Sequence, residues 1–327
     1  MEVAGLARLA GRILQSGGEL RGLRLLSGGA SQETWSFELA GPGGGAAHRL
    51  ILRRAPGGVY QHATAAGLEV EAAVIRAVGE RGVPVPTVRY VLDESDGIGR
   101  GFVTDHVDGE TIARKILRDD EYADVRPGLP AAFGSALAGI HALPPEELPD
   151  LRVVGPADTL DILREEVRNL ETPRPVFEVA IRWLEDHILP DQEPALVHGD
   201  FRLGNVIIDA SGIAAVLDWE LVHFGDPMND LAWLCATPWR FGAVDQPVGG
   251  LGPREDLFAG YEAAGGRVNR ERLRWWDIAS ALRWGVNCAS MVAIYRDGTD
   301  TSVERAMIAR RASENEIDLM RILYLGD

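Results

Sequence analysis

Lysine is almost absent from this chain: Lys115 is the only one in 327 residues. That scarcity removes whole chemistries at once. A phosphate loop of the Gly-Lys-Ser/Thr kind needs a lysine beside glycine and a hydroxyl residue, whereas Lys115 stands in Ala113-Arg114-Lys115-Ile116. Schiff-base catalysis would rest on that single side chain, at what reads as a solvated helix position. Cysteine is nearly as rare. Cys235 and Cys288 both lie in apolar surroundings, which points to buried free thiols rather than a disulfide framework. Positive charge is in deficit: 33 basic residues face 49 acidic ones, for a net charge of −16. A nucleic-acid backbone wants a basic face, so no nucleic-acid partner is expected. The imbalance is compatible with a cationic substrate, although an acidic surface also serves solubility alone. No run approaches the roughly 20 apolar residues of a membrane span. The N-terminus lacks a charged start followed by an apolar stretch. No membrane partner is therefore expected, and the chain reads as cytoplasmic.

The remainder is ordinary for a folded protein, with 46% hydrophobic and 25% charged residues, and the length suits one large domain or two lobes. One stretch stands out. His198-Gly199-Asp200-Phe201-Arg202-Leu203-Gly204-Asn205 follows an apolar run, and Val216-Leu217-Asp218-Trp219-Glu220 closes the next one. Phosphoryl transfer from a magnesium nucleotide needs such a set: a carboxylate for the proton of the attacking hydroxyl, and an amide and a second carboxylate for the metal. Turn chemistry explains the residue types but not their spacing, nor His198 two places before Asp200. Upstream, residues 3–15 predict a short amphipathic helix. Strands are predicted over 23–26, 34–39, 49–54, 87–92 and 101–104, with a glycine-rich hairpin around Ser27-Gly28-Gly29-Ala30-Ser31 and a turn over 41–45. A helix over 65–81 carries Leu68, Ile75 and Val78 on one side with Glu71 on the same stripe. A carboxylate on a buried face needs a partner, and Arg53 is the natural one. Arg54 alternates to the opposite face. Helices are predicted over 130–143, 159–170, 176–188, 253–264, 270–295 and 302–323. Trp275, Trp276, Trp284, Tyr261 and Tyr295 read as core more than substrate wall.

HGDFRLGNVI, VLDWE and GDPMNDLAWL together resemble the aminoglycoside-phosphotransferase-like small-molecule kinases. The resemblance is carried from about Ser27 to Leu234 and fades beyond. It implies an α+β, two-lobed protein-kinase-like fold: an N-lobe of a five-stranded antiparallel sheet plus one helix, and a mainly helical C-lobe, divided as 1–107 and 108–327. It implies ATP and Mg²⁺, with Asp200 as catalytic base, Asn205 and Asp218 as metal ligands, and His198 as loop support. Arg202 is open to two readings, stabilising charge at the transferred phosphate or a solvated loop position. Gly28, Gly29 and Ser31 fall in the nucleotide loop, and Asp105, His106 and Val107 at the hinge that holds the adenine edge by backbone groups. Arg53 falls where kinases carry lysine, paired with the helix glutamate, here Glu71. Asp226 and Asp230 cap a helix and brace the loop.

Gly225-Asp226-Pro227-Met228-Asn229-Asp230-Leu231 arrives within about a dozen residues of Asp218 and is expected to open an amphipathic helix through Trp233 and Leu234, leaving no room for a long activation segment. A small-molecule hydroxyl acceptor is therefore expected, and a polypeptide kinase is disfavoured. Related members include kinases of hydroxyacyl thioesters, so the acceptor class stays open between antibiotic and thioester. A nucleotide-binding scaffold without turnover is the reading of a different kind, motivated by Arg53 in place of lysine.

Overall fold

A computed structural model describes residues 9, 12–13, 19–28, 32–41, 47–55 and 65–325 of the chain. The expected N-terminal helix falls largely outside these residues, as do Gly29, Ser31 and the glycines after Gly41 in the expected turn. Contacts divide the chain into two units. One is Met1–Thr111 with Leu143–Leu151 and Asn205–Val222, and the other is Ile112–Ala142, Arg152–Gly204 and His223–Asp327.

In the first unit, β1 (Glu19–Gly28), β2 (Glu33–Ala40), β3 (Ala47–Ala55), β4 (Val88–Val91) and β5 (Arg100–Asp105) form an antiparallel sheet in the order β1-β2-β3-β5-β4. Period-two alternation fixes its faces. Leu50 and Leu52 of β3 point into a core with Phe37, Leu39, Leu92, Ile98 and Val103. Arg54 ends that same face and is buried. Its guanidinium donates to Glu33 at 2.7 and 2.9 Å and to the Ile98 carbonyl at 2.8 Å. Arg53 alternates to the other side. Helix α1 (Leu68–Glu80) buries Leu68, Glu71, Ala72, Val74, Ile75 and Val78, so Glu71 does lie on the apolar stripe. The hairpin Val206–Asp209 with Gly212–Val216 belongs to this unit as well. Ile208 exchanges backbone hydrogen bonds with Glu110 at 2.9 and 3.0 Å, and the Val216 N–H donates to the Pro84 carbonyl at 2.8 Å. Asn205 precedes the hairpin and Asp218 follows it.

The second unit is helical: α2 (Ala113–Arg118), α3 (Leu129–His141), α4 (Pro156–Arg168), α5 (Pro175–Asp186), α6 (Met228–Leu234), α7 (Arg254–Ala263), α8 (Arg270–Arg296), α9 (Val303–Ala309) and α10 (Ala312–Tyr324). Short strands Val153–Val154, His223–Gly225 and Ala195–Val197 make a small sheet within it. Helices α3 and α7 touch through glycines. A methyl added at Gly134 would meet the Leu257 carbonyl oxygen at 2.1 Å, and one at Gly260 would meet that of Ala131 at 2.0 Å. Trp275, Trp276 and Tyr261 are core residues, whereas Tyr295 is exposed. The single helix predicted over 302–323 is two: α9 buries none of its residues, and the break at Arg310–Arg311 re-aims the chain so that α10 buries Ala312, Asn315 and Leu319. Among the described residues no helix is long and apolar enough to cross a membrane, and Cys235 and Cys288 are buried free thiols.

Candidate active site

The loop opened by His198 lies in the helical unit and is held from behind by a buried carboxylate. Asp230, in α6, is fully buried. Its Oδ2 accepts the His198 N–H at 2.8 Å and its Oδ1 the Gly199 N–H at 2.9 Å. The His141 Nε2 stands 3.1 Å from the same Oδ2, and the Tyr261 hydroxyl 2.9 Å from His141 Nδ1. Burial alone would raise the Asp230 pKa, but His141 and the amide donors outweigh it and hold the group below the usual carboxylate range. Gly199 (φ 82°) and Gly204 (φ 117°) bend the loop in the left-handed region, open to glycine without strain. Between them the Asp200 N–H donates to His198 Nδ1 at 3.2 Å, so the ring supports the turn. The Asp200 carboxylate is gripped twice. Trp233 Nε1 donates to Oδ1 at 2.7 Å, and Arg202 Nε donates to the two oxygens at 3.2 and 3.3 Å. Arg202 is ion-paired and stacked, its guanidinium carbon 4.5 Å from the Trp239 ring centre, and is therefore not a freely solvated loop residue. Asp226 accepts from Met228 N–H at 3.0 Å at the start of α6, and from Arg272 Nε and Trp276 Nε1, both at 2.7 Å.

In the sheet unit a second cluster forms around Arg53. Its Nη1 donates to Asp218 Oδ1 at 2.8 Å and its Nη2 to Glu220 Oε2 at 3.0 Å, while Nε lies 3.5 Å from Glu71 Oε2. Burial works to lower the Arg53 pKa, and the three carboxylates reverse that and raise it. Glu71 is 1% exposed. Burial, with the negative charges of Asp218 and Glu220, lifts it to about 8 against the opposing pull of Arg53. Asp218 has φ 63° and ψ 64°, a conformation that a non-glycine residue holds only where the surroundings impose it. At the C-terminal end of β5 in the same sheet, Asp105 and His106 spend their N–H groups on the Thr87 and Arg49 carbonyls, each at 2.9 Å. Asp105 itself pairs with Arg89 at 2.6 and 2.7 Å. Gly28 pairs in register with Glu33.

Sequence reading assigned no role to Trp233, Glu220, His141, Trp239 or Arg283. Trp233 and Glu220 stand inside the quoted motifs, and that position was the available signal. His141, Trp239 and Arg283 carry none, because long-range contacts bring them in.

A divalent cation can be tested against these donors. Asn205 and Asp218 offer an amide and a carboxylate oxygen, the hard ligands that Mg²⁺ takes, and the strained Asp218 backbone fits a residue held for a purpose. Among the described residues, no group of three or more His, Cys, Asp or Glu could hold a metal. Nucleotide phosphates and water would have to complete the shell, the usual situation for Mg²⁺.

The sequence model of the phosphotransferase enzyme family APH matches residues 22–276, well past Leu234 where the motif resemblance fades. Acyl-CoA dehydrogenase family member 10 of Mus musculus is 31% identical over 252 residues, which are 68% of this chain but only 22% of the mouse protein. This chain thus spans about a fifth of that relative. A provisionally assigned aminoglycoside phosphotransferase from Ralstonia eutropha superposes with a TM-score of 0.74 at 20% identity, with 96% of each chain covered. A thermostable mutant of aminoglycoside phosphotransferase APH(4)-Ia, solved with AMP-PNP and hygromycin B, gives 0.59 at 18% identity and 98% coverage of both. These superpositions show a kinase-like α+β fold. Sheet, loop and family match agree, and this chain belongs to the APH phosphotransferase enzyme family.

Proposed function

We propose that the protein transfers the γ-phosphoryl group of ATP to a hydroxyl of a small molecule. The observation that carries this reading is the Asp200 carboxylate, aimed by an indole N–H and a guanidinium on a loop anchored by a buried acid. Asp200 takes the proton of the hydroxyl as its oxygen bonds to phosphorus and the bond to the ADP oxygen breaks. Arg202 lies beside it as a cation for the charge on the transferred group. Arg53 binds the nucleotide phosphates, its guanidinium able to contact them bidentately where a lysine would act as a point charge. Asn205 and Asp218 would hold Mg²⁺, which when bound neutralises charge on the phosphates. Asp105 and His106 have committed their N–H groups, so Val107, whose N–H has no partner among the described residues, is the donor for the adenine edge. The lobes are proposed as 1–107 for the nucleotide and 108–327 for catalysis and acceptor binding, in the cytoplasm, with Leu143–Leu151 and Asn205–Val222 of the second stretch belonging to the sheet unit.

A hydroxyacyl thioester is the second reading for the acceptor, favoured by the likeness to an acyl-CoA dehydrogenase family member. The test is a screen of metabolites and antibiotics for ATP consumption, run with wild type and Asp200→Asn. Turnover with one acceptor class, lost in Asp200→Asn while nucleotide binding persists, is the expected result. Stabilisation by Mg-ATP with no turnover across the panel would replace the enzyme by a nucleotide-binding scaffold.

A further inference from the structure

The net charge of −16 suggests a cationic acceptor, but the surroundings of Asp200 within the helical unit have the opposite sign. Arg283, in α8, donates from Nη1 to the Gly199 carbonyl at 3.1 Å, and its guanidinium carbon lies 4.1 Å from the ring centre of Trp233. Trp233 is the residue that donates to Asp200. Arg152 enters from the small sheet. Val153 pairs with Phe224 and His223 with Val197, so Arg152 stands level with Val197, at the end of the sheet from which His198 starts the loop. Its carbonyl accepts the Phe224 N–H at 2.9 Å, which fixes the backbone there. The Arg152 side chain is exposed.

Neither guanidinium has a carboxylate within the 4.0 Å of an ion pair among the described residues. Asp200, Glu166 and Asp230 act on Arg283 only from beyond that distance, and burial holds it below the usual arginine range despite them. Arg152 is lowered too, first by partial desolvation and then by Arg283 itself. Two like charges that feel each other, with no carboxylate in direct ion-pair contact among the described residues, leave room for an anion brought from outside. Guanidinium forks suit planar or tetrahedral oxyanions and bind them bidentately. Arg202 pairs with Asp200 directly and Arg283 feels its charge, with Trp233 and Trp239 stacked against these two guanidiniums.

We propose that Arg152 and Arg283 form an anion-recognition pair beside Asp200, so that the hydroxyl compound taken there carries a carboxylate or phosphate group. This rests on Asp200 being the base of the transfer reaction. It sets the acceptor apart from polyamine antibiotics, whose ammonium groups these arginines repel. Arg283 has a structural share through Gly199, whereas the Arg152 side chain makes no hydrogen bond or ion pair among the described residues. Arg152 is therefore the residue to change.

The experiment measures binding by calorimetry and phosphate transfer from Mg-ATP for three probe sets. These are hydroxy acids such as 3-hydroxybutyrate, hydroxyalkyl phosphates such as glycerol 3-phosphate, and the cations choline and kanamycin. The two anionic sets separate carboxylate from phosphate. The expected result is that anions bind, that Arg152→Gln weakens them about tenfold and Arg152→Glu more, and that neither change alters Mg-ATP affinity by more than about twofold. Tighter binding of the cations, no anion binding to wild type, or an Arg152→Gln protein that binds anions like wild type would each overturn the proposal. Anion binding that depends on Arg152 without phosphate transfer would leave the arginine pair standing and remove the phosphotransferase reading instead. Transfer to cationic acceptors alone would do the reverse.

Discussion

Replacing Asp230 with asparagine keeps the side-chain shape and removes its charge, and the structure says what that costs. The carboxylate accepts two backbone N–H groups at 2.8 and 2.9 Å and faces His141 at 3.1 Å, all away from water. An amide has one acceptor oxygen, so its NH₂ must confront one of the two loop N–H groups. Hydrogen bonds to a buried charge contribute about 1.5–3 kcal/mol each, and leaving buried partners unmatched costs about 3–5 kcal/mol in all. At about 2 °C per kcal/mol for a chain of this size, the melting temperature should fall by about 6–10 °C. The pH dependence follows from the depressed pKa of Asp230. A carboxylate whose folded value lies below its unfolded value stabilises the protein fully above the unfolded value of 3.8, and loses that contribution as pH falls through the folded one. The gap between wild type and Asp230→Asn should therefore be full at pH 7 and narrow only in strong acid. Scanning calorimetry across pH 2–8 reads this directly. A shift under about 2 °C at pH 7, or a gap that closes already near pH 6, would refute the argument that the loop hangs on this charge.

Trp233→Phe keeps an apolar ring but removes the 2.7 Å donor to Asp200. Losing a hydrogen bond to a charged group should lower kcat/KM for any phosphoryl acceptor about 10–100-fold, with KM for ATP unmoved, and an equal loss in both would point to misfolding instead. Glu71→Gln mimics the neutral form that burial favours. With the folded value raised to about 8 from 4.5, the wild type loses stability as pH climbs through that window. The variant should match wild type near pH 4 and melt higher near pH 9. Burial pushes the Cys235 and Cys288 thiols up to about 11 and about 12. Neither should react with a thiol reagent at pH 8 until the protein is unfolded, and stoichiometric labelling of the native protein would contradict this.

How much of this was legible in the sequence depends on the range of the interaction. Period-two alternation separates Arg53 from Arg54, and helical periodicity puts Glu71 on the inner stripe of α1, because both are set by residues a few places apart. The Asp, Asn, Asp order survives as a pattern for the same reason. Glu220 is two residues from Asp218, yet its contact with Arg53 spans 167 positions, and nothing local to either residue announces it. His141 and Arg283 reach the loop by the packing of α3 and α8, which no window of sequence contains. Trp233 shows the limit most plainly. An indole in an apolar helix reads as core, and it is core on one side, while its N–H points at the carboxylate that the motif had already singled out. The break between α9 and α10 escaped because no glycine or proline marks it. Only the burial of Ala312, Asn315 and Leu319 explains where the chain turns.

The glycine contact between α3 and α7 reaches further than packing. Gly260 is the immediate neighbour of Tyr261, and α3 ends at His141, so the spacing at which these two helices meet also sets the 2.9 Å separation between the phenol and the imidazole. The helix backbones act as a ruler for a relay that runs Tyr261, His141, Asp230 and on to the amides of the loop. A methyl at 134 or 260 would therefore drive these helices apart and draw the phenol away from the imidazole, disturbing charged groups that it never touches.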